Sequence, residues 1–144
     1  MLMHIPKLLT PELIRLLMEM GHGEELLICD ANYPAMTGAG ERQYITGCHI
    51  DELLEIILYY FPLDRAVAYA AVVMDSCPNE RLERYTSLVE IGGSRLDTMD
   101  RFTFYDRARG AVAKVVTNDT TRGGNILIRK GVVTETDLLT ITEK

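Results

Sequence analysis

Alternating blocks of apolar and polar residues predict four helices and four strands. The first helix begins at Thr10-Pro11-Glu12, an N-cap followed by proline and an acid, and Gly21 ends it. Apolar residues at helical spacing predict three more helices, over residues 51–61, 78–92 and 100–109. Short apolar runs, typical of buried strands, cover residues 25–30, 66–74, 111–117 and 125–130.

Helices and strands alternate along most of the chain. This order predicts an α/β fold, in which a parallel or mixed sheet is flanked by helices. Residues 31–49 carry Pro34 and several glycines but few periodic apolar positions, and we interpret them as a long binding loop. The 144 residues have the length of a single domain, and the polar tail from Thr134 onward stays unassigned.

Composition and charge exclude several classes of protein. The hydrophobic fraction of 47% and the charged fraction of 25% are those of a globular chain, and the net charge of −6 disfavours nucleic acid and anionic membranes as partners. No apolar run reaches the roughly 20 residues of a membrane-spanning helix, and the N-terminal residues do not resemble an export signal. Three cysteines without C-x-x-C spacing favour free thiols, so we expect a soluble cytoplasmic protein.

Motifs for cofactor or metal chemistry are missing from the sequence. Gly38-x-Gly40 lacks a following lysine and does not lie between a strand and a helix, so it matches neither nucleotide-binding loop. His4, His22 and His49 lack the spacing of metal ligands. We therefore expect neither a cofactor nor a metal.

His22 is the candidate for proton transfer. It lies between Gly21 and Gly23 just after the first predicted helix, where the negative end of the helix dipole favours the protonated imidazole and proton exchange near neutral pH. Alternatively, His22 only binds carbonyl groups at the end of that helix.

Three polar residues are candidates for ligand binding. Asp30 ends a predicted strand, where its carboxylate accepts bonds from hydroxyls or forms an Asx turn. Arg107 directs five donors toward an oxygen-rich ligand, or is a surface arginine paired with an acid. Asn125 follows two glycines and either binds a hydroxyl or is a simple turn residue. With His22, these side chains form a polar set that suits a sugar.

Four short motifs occur in a fixed order: E-M-G-H-G at residues 19–23, D-A-x-x-P at 30–34, F-Y-D-R-A at 104–108 and G-N-I-L at 124–127. With these motifs the sequence resembles the sugar mutarotase family (RbsD/FucU-like) that contains L-fucose mutarotase and D-ribose pyranase. The resemblance covers about residues 7–131, within one domain of residues 1–144, and leaves residues 132–144 unassigned. F-x-F-Y-D-R-A and Pro34-Ala35 are closer to the fucose branch.

The resemblance implies a cytoplasmic isomerase on a three-layer α/β fold, without cofactor or metal. Such an enzyme interconverts the α and β anomers of a free monosaccharide, such as L-fucose, by acid/base-assisted ring opening and closure. It also implies a ring-like homo-oligomer, expected as a decamer, with sites near subunit boundaries. Motif matching makes His22 the acid/base residue and Asp30, Arg107 and Asn125 the sugar-binding residues.

Two positions depart from the family pattern. Gly123 stands where family members usually have tyrosine, and Asn32 stands where fucose-branch members often have histidine. A non-catalytic sugar-binding or regulatory module that lost the tyrosine at position 123 is therefore an alternative. A structural scaffold is a third one, in which the resemblance concerns the fold alone. At the level of assembly, Tyr59 or Tyr60 is predicted to lie at a subunit interface. The nearby apolar side chains of Phe61, Leu63, Met18 and Met20 are predicted to belong to the core.

Overall fold

All six strands of the computed structural model belong to one mixed sheet, and the structure describes residues 1–139. The strands are β1 (Glu25–Cys29), β2 (Glu41–Ile45), β3 (Ala71–Met74), β4 (Leu96–Met99), β5 (Ala113–Thr117) and β6 (Ile126–Arg129). Their order across the sheet is β2-β5-β1-β6-β3-β4. β6 runs antiparallel to its neighbours β1 and β3, and the other adjacent pairs are parallel. The last part of the unassigned tail lies outside the described residues.

Helices cover both faces of this sheet. They are α1 (Pro11–Glu19), α2 (Ile50–Tyr60), α3 (Asn79–Ile91) and α4 (Arg101–Ala108). α1, α2 and α3 pack with Ile28 and the other side chains of one sheet face, whereas Phe104 of α4 packs with Leu27 on the opposite face. The predicted α/β fold, with helices flanking a mixed sheet in three layers, is therefore confirmed.

Local capping explains why two of the helices begin where the sequence predicts. The Oγ1 atom of Thr10 accepts a hydrogen bond from the Leu13 amide at 3.2 Å, and Pro11 occupies the first turn of α1. The side chain of Asp100 likewise accepts from the amides of Phe102 and Thr103 at the start of α4. These bonds satisfy backbone donors that have no partner inside the helix.

The two edge strands, β2 and β4, are absent from the sequence prediction. Edge strands have only one neighbour and a mostly solvated surface, so they carry no apolar run, and β2 buries only Ile45. Gly40 leads into β2 with a φ of +104°, and a Cβ at this position would lie 2.7 Å from the carbonyl oxygen of Ala111. The interpretation of residues 31–49 as one loop is therefore wrong for Glu41–Ile45.

β3 is shorter than the predicted strand of residues 66–74. Residues 66–70 are irregular, and this segment begins with a turn in which Oδ1 of Asp64 accepts from the Ala66 amide at 3.0 Å. Among the apolar residues assigned to the core, Phe61, Leu63 and Met20 are buried, but Met18 is 81% exposed, which corrects that expectation. Tyr59 and Tyr60 are exposed on the surface of α2.

Candidate active site

The four predicted site residues lie at opposite ends of β1. His22 precedes the strand, and Arg107 contacts its first residue, Glu25. Asp30 follows the last residue of the strand and contacts Asn125, which precedes β6. A strand rises about 3.3 Å per residue, so the two pairs are on the order of 15 Å apart within one chain. The fold thus brings Asp30 and Asn125 into contact, whereas His22 and Arg107 lie near the other end of β1 and each pairs with a different acid.

His22 lies on a short turn that connects α1 to β1. The Gly21 amide donates to Oε1 of Glu24 at 2.6 Å, and the Gly23 amide donates to the carbonyl of Lys130 at 2.8 Å. The first bond closes the turn, and the second ties it to the residue that follows β6. The side chain of His22 is 50% exposed and lines a cavity of ≈ 410 Å³, which suits a group that exchanges protons with a ligand or with solvent.

Asp64 is the partner of His22 that sequence analysis missed. Its Oδ1 lies 3.2 Å from Nε2 of His22, and its Oδ2 accepts from Nε of Arg129 at 2.8 Å. Burial acts to raise the pKa of Asp64, but hydrogen bonds from Ala66, Arg129 and His22 outweigh it and hold the pKa below its usual value. Asp64 therefore stays ionised. Forty-two positions separate it from His22 in the sequence, and no motif links them.

Arg107 pairs with an acid within its own chain. Its Nη2 donates to Oε2 of Glu25 at 2.9 Å, and its side chain remains about one-third exposed. Such a pairing is the alternative to ligand binding by Arg107 that sequence analysis gave. One guanidinium edge is used by Glu25, and sugar binding by the other donors stays a prediction.

Asp30 and Asn125 form a buried pair at the carboxyl end of β1. The Asp30 amide donates to Oδ1 of Asn125 at 2.7 Å, and Oδ1 of Asp30 accepts from the Asn32 amide at 2.9 Å. The second bond forms an Asx turn, which the sequence analysis gave as the alternative to ligand binding by Asp30. Burial raises the pKa of the Asp30 carboxyl above its usual value and outweighs the hydrogen bonds from Asn32 and Asn125. Sugar binding by Asp30 and Asn125 stays a prediction.

A second buried acid, Asp119, lies next to this pair. Its carbonyl accepts from the Ala31 amide at 2.8 Å, and its Oδ2 accepts from Nη1 of Arg81 at 2.7 Å and from the Ile50 amide at 2.9 Å. Burial opposes ionisation, but hydrogen bonds to the carboxylate from the Ile50 amide, Thr121 and Arg81 hold the pKa of Asp119 far below its usual value. Asp119 follows β5 as Asp30 follows β1, so the same sequence signal was available for it.

Gly123, where the resemblance implies a tyrosine, has a backbone conformation that favours glycine. Its φ is +73°, and a Cβ at this position would lie 2.8 Å from Oγ of Ser76. A tyrosine cannot enter here unless the backbone and Ser76 both move.

Residues 1–139 contain no group of three or more His, Cys, Asp or Glu side chains placed to hold a metal ion. Within the same range, no helix is long and apolar enough to cross a membrane.

The fold, a six-stranded mixed sheet covered by helices on both faces, is that of a class of small α/β proteins. The chain belongs to the RbsD / FucU transport protein family, whose model matches residues 3–133. The match covers His22, Asp30, Arg107 and Asn125.

Similar proteins share most of the length of this chain. The fucose mutarotase of Danio rerio is 41% identical over 143 residues, which cover 90% of this chain and 92% of that protein. The L-fucose mutarotase of Actinobacillus pleuropneumoniae serotype 5b is 37% identical over 92% of this chain and 97% of its own length. Among solved structures, the fucose mutarotase of Streptococcus pneumoniae in complex with L-fucose superimposes with a TM-score of 0.85. It is 37% identical and covers 92% of this chain and 100% of its own.

Proposed function

We propose that this chain is a monosaccharide mutarotase that interconverts the α and β anomers of a free sugar such as L-fucose. The observation that carries the proposal is the half-exposed imidazole of His22, backed by the buried carboxylate of Asp64. A chain 37% identical to a mutarotase that binds L-fucose thus has an acid/base group at an accessible surface. The enzyme is an isomerase.

The reaction needs only the movement of protons. His22 removes the proton from the anomeric hydroxyl, the bond between C1 and the ring oxygen breaks, and the ring oxygen takes up a proton from an acid or from water. The open-chain aldehyde then closes on either face, which returns both anomers. A positioned general acid–base group contributes about 10²–10⁴-fold, and this suffices for a reaction that already proceeds in water.

Sugar hydroxyls are held by Asp30, Arg107 and Asn125 in this proposal. A carboxylate accepts hydrogen bonds, a guanidinium donates them, and an amide does both, so the three groups match the mixed donors and acceptors of a monosaccharide. No step requires a cofactor or a metal.

We also propose that the site is completed by a second copy of the chain in a ring-like homo-oligomer, the decamer expected from the family. The support is the separation of His22 from Asp30 along β1, together with the exposure of Met18, Tyr59 and Tyr60. Light scattering tests the assembly, since a monodisperse particle of 16.2 kDa would refute it. Free thiols at all three cysteines support a reducing compartment, and we propose the cytoplasm.

Saturation transfer between the α and β anomers of L-fucose, followed by NMR, tests the activity. We expect the wild-type protein to speed exchange and His22→Asn to reduce the rate to that in buffer, because an amide side chain cannot carry the proton. His4→Asn is the matched control. His4 is exposed, and asparagine tolerates its φ of +68°, so exchange should stay at the wild-type rate.

A panel of L-fucose, D-ribose, D-galactose and L-rhamnose identifies the preferred sugar in the same experiment. Exchange at the buffer rate for every sugar refutes the proposal. Wild-type exchange in His22→Asn refutes the role of His22 but leaves the activity in place.

A non-catalytic sugar-binding or regulatory module is the second candidate. The observation that favours it is Gly123, whose backbone excludes the family tyrosine and so removes a phenol from the site. A module binds L-fucose, with shifted NMR signals, but produces no saturation transfer between the anomers.

A further inference from the structure

Asp64 contacts both His22 and Arg129. Nε2 of His22 lies 3.2 Å from Oδ1 of Asp64. The side chain of Asp64 is 3% exposed, whereas that of His22 is 50% exposed. One ring nitrogen therefore faces a buried carboxylate, while half of the imidazole stays accessible from the cavity.

Other parts of the fold hold this carboxylate in place. Nε of Arg129, the last residue of β6, donates to Oδ2 of Asp64 at 2.8 Å, and the Ala66 amide donates to Oδ1 at 3.0 Å. The amide of Asp64 in turn donates to the carbonyl of Arg129 at 3.0 Å. Because the sheet and the following turn both fix it, Asp64 is an acceptor of defined position and direction.

We infer that Asp64 is the positioning residue for His22 and selects Nδ1 as the nitrogen that exchanges protons with the sugar. An ionised carboxylate only accepts hydrogen bonds, so Nε2 carries the hydrogen of the neutral ring. Nδ1 is then the unprotonated nitrogen, and it is the atom that removes the proton from the anomeric hydroxyl. The inference rests on the proposed function, because it assigns the reacting atom of the same site.

A purely structural ion pair between Asp64 and Arg129 leads to a different expectation. Such a pair stabilises the fold, but it does not require either tautomer of His22. Arg65 and Asp137 are the other charged residues that line the cavity, and neither has a hydrogen bond to the imidazole within residues 1–139. The tautomer of His22 is therefore the observable that separates a positioning role from a structural one.

Nitrogen NMR of the isotope-labelled wild-type protein measures the tautomer directly. The ring signals of His22 are identified by their absence from His22→Asn, and they are recorded at a pH where the ring is neutral. We expect hydrogen on Nε2. A ring with its hydrogen mainly on Nδ1 overturns the inference, and anomer exchange by the same wild-type sample shows whether the proposed function still stands.

Asp64→Asn provides a second measurement. Nε of Arg129 is a charged donor and takes the amide oxygen, so the NH₂ group of the asparagine faces Nε2 of His22 and the Ala66 amide, and the hydrogen bonds that fix the imidazole are lost. We expect anomer exchange to fall about 10–100-fold, with L-fucose affinity unchanged and the Nε2–H tautomer no longer dominant. A folded Asp64→Asn protein with wild-type exchange, or with the wild-type tautomer, overturns the inference.

Asp97→Asn is the matched control, because it makes the same chemical change at an exposed position of the edge strand β4. It should keep both the exchange rate and the His22 tautomer of the wild type. If Asp64→Asn does not fold, the wild-type tautomer alone decides the question. If the wild-type protein shows no exchange for any sugar, the proposed function fails, whatever the tautomer is.

Discussion

The backbone amide of Asp30 donates to Oδ1 of Asn125 over 2.7 Å and joins the end of β1 to the residue that precedes β6. Both side chains are buried. The bond also sets the direction of the Asn125 amide, since the oxygen must face the Asp30 donor. In the proposed site, the NH₂ group of Asn125 is then the part that binds a sugar hydroxyl.

Asn125→Ala removes this acceptor and leaves the buried amide of Asp30 without a partner. We expect a loss of about 1–3 kcal/mol in the free energy of unfolding, measured with urea, and a loss of L-fucose affinity. Asn118→Ala is the control, because Oδ1 of Asn118 accepts from the Gly47 amide at an exposed position. Equal losses in the two variants would contradict the importance of burial at Asn125.

Asp30→Asn tests the raised pKa of a buried carboxyl. Burial raises that pKa, so the folded protein binds a proton more readily than the unfolded chain does. The contribution of Asp30 to stability therefore falls as pH rises from the ordinary carboxyl range through the raised pKa. Since asparagine does not ionise, we expect the variant to gain stability relative to the wild type as pH increases.

The same variant should lose about 1.5–3 kcal/mol of L-fucose binding, because it removes a charged acceptor. Urea unfolding at several pH values and calorimetric titration measure the two effects. Parallel stability curves for Asp30→Asn and the wild type would show that the Asp30 carboxyl does not titrate differently on folding.

Arg81→Met breaks the ion pair that joins α3 to the segment after β5. Arg81 is 13% exposed and Asp119 is fully buried, so the variant leaves a carboxylate without its cation inside the protein. We expect a loss of about 3–5 kcal/mol in the free energy of unfolding. Arg84→Met removes an exposed pair with Glu55 and should cost no more than about 1 kcal/mol. A similar small loss for Arg81→Met would contradict the structural role of the buried pair.

Gly123→Ala separates backbone strain from contact with Ser76. Gly47 has a φ of +81° with nothing within 4 Å of an added Cβ, so Gly47→Ala should report strain alone, about 1–3 kcal/mol. Gly123→Ala should cost more, because its Cβ would lie 2.8 Å from Oγ of Ser76. Gly123→Tyr should be less stable again and should not raise the rate of anomer exchange. Thermal unfolding measures all three variants.

Co-expression of His22→Asn and Asp30→Asn chains tests whether two copies share a site. Each variant alone should be inactive or weak. If His22 of one copy acts on a sugar held by Asp30 of another, random mixing restores both residues at about a quarter of the boundaries. Anomer exchange by the purified mixed oligomer is the measurement. A mixture no more active than its two components would place the complete site within one chain.

Much of the fold could be predicted from the sequence because its strongest signals are local. The N-caps at Thr10 and Asp100 act within one helical turn, and the apolar runs of β1, β5 and β6 are buried whatever their partners are. The edge strands β2 and β4 carry no such signal. Their positions depend on hydrogen bonds to β5 and β3, which are distant in sequence.

The sequence by itself determined the four helices, the alternation with strands, and the residue types suited to a sugar, because these depend on periodicity and side-chain chemistry. Only the tertiary structure placed His22 against Asp64 and separated it from Asp30 along β1. It also showed that Gly123 faces Ser76. These relationships join residues far apart in the chain, and packing of the sheet and helices, which no local pattern encodes, brings them into contact.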